Sequence, residues 1–142
     1  MPRTAIACVA ALLLAGGCSE TANYCEFSGA VTADGKPVDE GLIMFTPTAA
    51  GPGQGPVAAD ISGGSYRVTP AKKMTPGSYK VAITAERDTG RTISSEPGSR
   101  DATPMREQYI PPRYNATTEL TTDIAAGQST PVDFDLTLKK SK

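Results

Sequence analysis

Histidine and tryptophan are both absent from the 142 residues. Without histidine the chain lacks the side chain most used for proton transfer near neutral pH, and the commonest metal ligand. Cysteine is scarce: there are three, Cys8, Cys18 and Cys25, with no paired Cys motif. A zinc site is therefore set aside, and neither a metal nor a cofactor is expected. Charge of one sign is not in excess either. Fourteen basic and fifteen acidic side chains give a net charge of −1, and both signs are mixed along the chain. That excludes the basic stripe of a nucleic-acid binder; Lys139, Lys140 and Lys142 read as a short solvated tail. No run is apolar enough for a bilayer crossing. The best, residues 5–14 (AIACVAALLL), spans about 15 Å as a helix against roughly 30 Å of hydrocarbon.

What is present begins with an export signal. Residues 1–4 form a short basic start, 5–14 an apolar centre, and Ala15-Gly16-Gly17 a run of small residues ending at Cys18. This is the layout of a secretory signal. Its end resembles a bacterial lipobox, with Ala15 where a large aliphatic residue is preferred and Leu14 one position further out. Residues 1–17 are thus expected to be a lipoprotein signal peptide, with Cys18 the lipid attachment residue. Each buried methylene contributes about 0.8 kcal/mol, so two or three acyl chains on Cys18 would make dissociation negligible. Residues 18–23 would be the lipidated Cys and a short tether. The five residues after Cys18 reach at most about 18 Å, so the body should sit close to the membrane. Ser19 rather than aspartate after the cysteine resembles an outer-membrane sorting signal.

Residues 24–140 read as a single domain of short strands, with no helical periodicity. Period-two alternation recurs. Cys25, Phe27, Gly29 and Val31 share a face; Ile43 and Phe45 follow; then come Val57 to Ile61, Tyr66 with Val68, Tyr79 with Val81 and Ile83, and Leu120 to Ile124. Val132, Phe134, Leu136 and Leu138 close the series. Turn sequences separate the runs, notably Asp34-Gly35 and Ser62-Gly63-Gly64. Pro47, Pro70 and Pro131 fall near strand ends, where they protect edges. Seven short strands predict an all-β fold, an antiparallel two-sheet sandwich. Residues 86–117, rich in Arg, Ser, Gly, Pro and Asp, show little alternation and are expected to be a long loop. Leu42 and Met44 point away from Ile43 and Phe45; either that loop covers them, which is the expectation, or they form part of a contact surface.

Several segments in order carry a family resemblance: SGAVTADGKPVDEGLIMFTP (28–47), SGGSYRV (62–68), TPGSYKVAI (75–83), IPPRYN (110–115) and DFDLTL (133–138). Together they resemble the small lipoproteins common in planctomycete bacteria, whose domain is described as carboxypeptidase regulatory-like with a transthyretin-like fold. The resemblance covers most of residues 24–138. It implies a seven-stranded β-sandwich serving as an accessory module, and a fold alone brings no activity with it. One enzyme on the transthyretin fold, the hydroxyisourate hydrolase, depends on histidines and a C-terminal Tyr-Arg-Gly-Ser. This chain has no histidine and ends Lys139-Lys140-Ser141-Lys142, so that activity does not carry over.

Candidate sites are few. Tyr109, Arg113, Tyr114 and Asn115, set among Pro111 and Pro112, could form a ligand patch for a glycan or peptide; the alternative is that Tyr114 packs on the body and pins the loop. Cys25 reads as a buried small apolar residue. Asp34, Asp39 and Glu40 at one turn, and Asp133 with Asp135 on one strand, match no calcium-loop spacing. Ser62, Ser94 and Ser95 lack a nucleophile elbow and a histidine base. The expectation is a non-enzymatic, lipid-anchored module of the cell envelope, structural or interacting, exported and placed at the outer membrane. Its partners would be the membrane, through Cys18, and an envelope protein or glycan. The alternative role is a carbohydrate- or peptide-binding accessory module.

Overall fold

The computed structural model describes residues 24–49, 51, 54–94, 102–128 and 130–139. The expected signal and Cys18 lie outside the described residues. Nine strands form one open, mostly antiparallel sheet: β1 (Phe27–Ala33), β2 (Lys36–Pro37), β3 (Glu40–Pro47), β4 (Val57–Ser62), β5 (Ser65–Val68), β6 (Gly77–Ser94), β7 (Ala102–Gln108), β8 (Thr121–Ile124) and β9 (Phe134–Leu136). Short 3-10 turns at Pro70–Lys72 and Pro112–Tyr114 are the only helical pieces among the described residues. The strand order is β2-β1-β5-β4-β3-β6-β7, with β8 on β6 and β9 on β1.

The alternating apolar positions become the core as the period-two pattern requires, because successive side chains of a strand point to opposite faces. Val31, Val38, Ile43, Phe45, Val68, Val81 and Ile83 are wholly buried. Each such side chain contributes roughly 1.5–3 kcal/mol on leaving water. An aromatic cluster lies at the centre. Phe27 meets Phe45 edge-on at 5.7 Å, and Phe134 lies 6.3 Å from Tyr66 and 6.5 Å from Phe45. The Phe134 ring of β9 thus packs against rings of β3 and β5, while β9 itself pairs with β1.

The turns behave as their residues dictate. Asp34 and Gly35 both adopt positive φ, joining β1 to β2 in a two-residue hairpin of the kind that matches strand twist. Gly63 and Gly64 do the same between β4 and β5. Their amides donate to the Asp39 and Val38 carbonyls, both at 2.8 Å. That contact fixes the start of β3 beside the β4–β5 turn.

Three expectations change. Among the described residues nine strands are present rather than seven: the two-residue β2 carries too little sequence to show a period, and β7 has none. The pairing is not wholly antiparallel, since β9 runs parallel to β1 with Val31 opposite Phe134. The chain crosses between β8 and β9, so β9 enters from the same end as β1. The third change concerns the segment expected as a loop over 86–117. Residues 86–94 complete the 18-residue β6 and pair with β7, Glu86 opposite Gln108 and Ser94 opposite Ala102. All of β7 is exposed. Alternation reports one buried face, and a ribbon wet on both faces has no reason to show it; backbone hydrogen bonds suffice to hold it. The register slips between Asp88 and Thr92, a bulge of the type that strengthens twist.

The ribbon has a direction. The Cys25 amide donates to the Met74 carbonyl at 2.7 Å, so the chain enters the body just before β6 begins. From Gly77, β6 covers about 60 Å of strand at ~3.3 Å per residue. Its far half, with β7, therefore stands at the end of the body opposite the entering chain.

Candidate functional site

The four residues expected as a ligand patch have separate tasks. Asn115 turns inward on its own segment: its Nδ2 donates to the Ile110 carbonyl at 3.1 Å, and its Oδ1 accepts from the Ala116 amide at 2.6 Å. Arg113 holds the C-terminal segment. Its Nη2 donates to the Thr137 carbonyl and, at 2.8 Å, to that of Lys139, while its guanidinium lies over the Tyr114 ring, 4.8 Å from the centroid. The Tyr114 hydroxyl accepts from the Thr137 amide at 3.1 Å, and its ring packs on the core. Arg113 and Tyr114 thus pin the segment after β7 to the segment after β9. Tyr109 stands apart from this latch. Arg87 lies over its ring at 5.3 Å, at the base of the ribbon. Burial, and then the negative charge of Asp39, push the Tyr109 phenol up against the opposing influence of Arg87.

The acidic residues singled out from sequence also divide. Asp133 Oδ1 accepts from the Ala30 amide at 2.7 Å, Asp135 Oδ1 from the Thr32 hydroxyl at 2.8 Å, and Asp34 Oδ1 from the Leu138 amide at 3.0 Å. These three bind β9 and its flanks to β1. Among the described residues no group of three or more Cys, Asp or Glu side chains is placed to hold a metal ion. Cys25 is buried, its thiol pushed up by that burial and 4.0 Å from the Ala125 carbonyl. Among the described residues no helix is long and apolar enough to cross a membrane.

The feature that sequence reasoning missed is a cleft of about 740 Å³ where the ribbon leaves the body. Leu42 forms part of its lining, 38% exposed, and Met44 follows on the same strand face at 37%. Among the described residues, the segment expected to cover these two instead pairs as β6 and β7 and supplies Glu86, Arg106 and Gln108 to the cleft wall, leaving both side chains more than one-third exposed. Carboxylates surround Leu42. Asp60 is its direct partner on β4, Glu40 lies two residues before it on β3, and Asp39 and Glu86 complete the rim. Gly41 pairs with Ala85, so one position further Glu40 and Glu86 come onto adjacent strands. Like charges so placed repel, and Arg106 relieves them. From β7 its Nη2 reaches Glu40 Oε2 at 2.6 Å, and its Nε lies 3.8 Å from Asp88. The Glu40 hydrogen bond and charge, then Asp88 and Glu86, raise the Arg106 guanidinium further above its already high value. Among the described residues Asp39, Asp60 and Glu86 make no ion pair.

Part of this cleft was visible beforehand. Leu42 and Met44 are apolar on a face that should be polar, which marks an unusual surface. The carboxylates were not visible as a set, because Asp39, Asp60 and Glu86 meet only through the β4-β3-β6 pairing. Compared with protein-family models, with curated proteins and with solved structures, the chain matches none.

Proposed function

We propose that this chain is a lipid-anchored cell-envelope module that works by binding rather than by catalysis. The reading rests on one observation: the apolar run 5–14 and Ala15-Gly16-Gly17 end at Cys18, only a few residues before the strand-built body begins. Acyl chains on Cys18 would hold the body within about 18 Å of the bilayer. The direction of β6 supports a presenting role, since the exposed ribbon stands at the end away from the tether. A non-catalytic role is supported by the missing histidine and by a cleft open to water.

The body is read as a β-sandwich of the transthyretin-like, carboxypeptidase regulatory-like kind. Two observations support this. Strands β4 and β5 pair only at Ile61 and Ser62 with Tyr66 and Ser65, so the sheet can part there into two layers. Setting aside the two-residue β2 and the ribbon strand β7, seven strands remain. Mass spectrometry of the native N-terminus from the membrane fraction tests the anchor. The expected result is a chain beginning at Cys18 and carrying acyl mass, with Cys18→Ser released to the soluble fraction. An unacylated Cys18 in freely diffusing protein overturns the reading.

The alternative role, a carbohydrate- or peptide-binding accessory module, is better supported at the cleft than at residues 109–115. There Nη2 of Arg113 and the side-chain amide of Asn115 are engaged with backbone, whereas the cleft carries carboxylates free of ion pairs.

A further inference from the structure

The outer sheet face beside the ribbon has an apolar strip where a solvated face would carry polar groups. Leu42 and Met44 are both more than one-third exposed there. The ribbon and the carboxylate rim turn the Leu42 end of this strip into a concave site. Its width is set by pairing: from Asp60 on β4 to Gln108 on β7 the cleft crosses three inter-strand spacings, about 14 Å at ~4.8 Å each. That is the length of about four extended residues. Its volume falls in the range of clefts that take small ligands and short peptides.

The charge of the lining selects the occupant. Four carboxylates, Asp39, Glu40, Asp60 and Glu86, face one cation, Arg106. They are not gathered at one point: Asp60 lies on one side of Leu42, and Glu86 beyond it on the ribbon side. A single small cation would satisfy one side only. Basic, apolar and basic side chains at alternate positions of an extended segment, which share one face, match the spacing. The molecule already shows the interaction in miniature, since the Arg106 guanidinium sits on Glu40 at 2.6 Å with Asp88 close by.

We propose that this cleft docks a short extended basic peptide segment of a partner protein, with cationic side chains on Asp60 and Glu86 and an apolar one on Leu42. Arg106, held on Glu40 and close to Glu86, repels a cation approaching Glu86 and so opposes docking. This deepens the binding role proposed above, and rests on it.

The test uses the full-length chain in detergent micelles and a fluorescein-labelled Lys-Ser-Leu-Ser-Arg peptide, whose Lys, Leu and Arg share one face when extended, read by anisotropy. Binding is expected to weaken about tenfold in the double variant Asp60→Asn/Glu86→Gln, a loss of about 1.4 kcal/mol, and to fall as salt rises. Leu42→Ser should weaken it about threefold. Arg106→Gln should tighten it, a gain that misfolding cannot produce. No binding of the peptide, or equal binding by the double variant, overturns the proposal. Displacement of the peptide by equimolar spermine or calcium would show a general cation site and overturn the peptide assignment. Acylation of Cys18 is read by mass on the same preparation, so failure of the anchor and failure of the cleft are separate results.

Discussion

The Tyr66 hydroxyl donates to the Val132 carbonyl at 2.6 Å, and it does so over Gly29. Gly29 pairs with Tyr66 across β1 and β5. A Cβ at position 29 would stand 1.8 Å from the Val132 oxygen and 2.9 Å from the Tyr66 ring. The Val132 amide in turn donates to the Ser28 carbonyl at 3.0 Å. The chain therefore approaches β1 closely enough to deliver β9 only because residue 29 has no side chain.

Gly29→Ala should displace residues 130–136 and open the aromatic cluster at Phe134. The expected loss is about 3 kcal/mol or more, in the class of severe core disruptions. Urea denaturation followed by tyrosine fluorescence measures it. A loss below about 1 kcal/mol would show that the crossing segment can shift at little cost.

Alkaline pH should destabilise the fold through the same pair. Burial, with a smaller contribution from Asp133, holds the Tyr66 phenol above its ordinary value. The unfolded chain ionises this group first, so its contribution is complete below about pH 10 and declines as pH rises further. Cys25, also pushed up by burial, acts with the same sign from about pH 8.5. Tyr66→Phe should cost about 1 kcal/mol at pH 7 through the lost hydrogen bond. It should also flatten the decline in urea midpoint above pH 10. An unchanged slope in that variant would remove Tyr66 as its source.

The ribbon should be dispensable for folding. Arg87 and Glu107 are direct partners, so residues 88–106 can be replaced by Asn-Gly, a two-residue turn suited to a hairpin. None of the described residues removed belongs to the buried core. The expected change in stability is under about 0.5 kcal/mol. Unfolding of the shortened chain, seen by circular dichroism, would show the ribbon to be structural after all.

The Arg106–Glu40 bridge should matter little to stability despite its short distance, because its side chains are 40% and 71% exposed. Glu40→Gln is expected to change stability by less than about 1 kcal/mol. It should instead speed amide exchange in β7, since the bridge is what ties that strand back to β3. Exchange in residues 102–108 unaffected by the substitution would argue that β6 pairing alone orients the ribbon.

Cys25 should resist iodoacetamide in the folded protein and react once urea is added, since a buried neutral thiol is a poor nucleophile. Rapid alkylation without denaturant would place the thiol at the surface, where it could form an intermolecular disulfide.

Much of the body could be read before any coordinates. Ile43 with Phe45, Tyr66 with Val68, and Tyr79 with Val81 and Ile83 were recognisable as inward positions, because a strand with one dry face must alternate. Asp34-Gly35 and Gly63-Gly64 were recognisable as turns, because both residues of each adopt positive φ, which glycine and aspartate tolerate. Within the span 86–117 expected as a loop, the strands over 86–94 and 102–108 left no alternation for the complementary reason: the ribbon they form buries neither face. Arg113 and Asn115 looked available because nothing local shows that the carbonyls of Thr137, Lys139 and Ile110 will take their donors.

By itself the sequence determined which short segments become strands, where they turn, and which side of each faces the core, since these depend on side chains a few residues apart. It also carries the apolar run and the cysteine on which the proposed anchor rests. Tertiary structure alone decided the parallel docking of β9 on β1, the ribbon, and the meeting of Asp39, Asp60, Glu86 and Arg106 around Leu42. Those residues are brought together by backbone pairing between distant strands. Such pairing depends on register and twist across the whole sheet, and leaves no mark in any local stretch of chain.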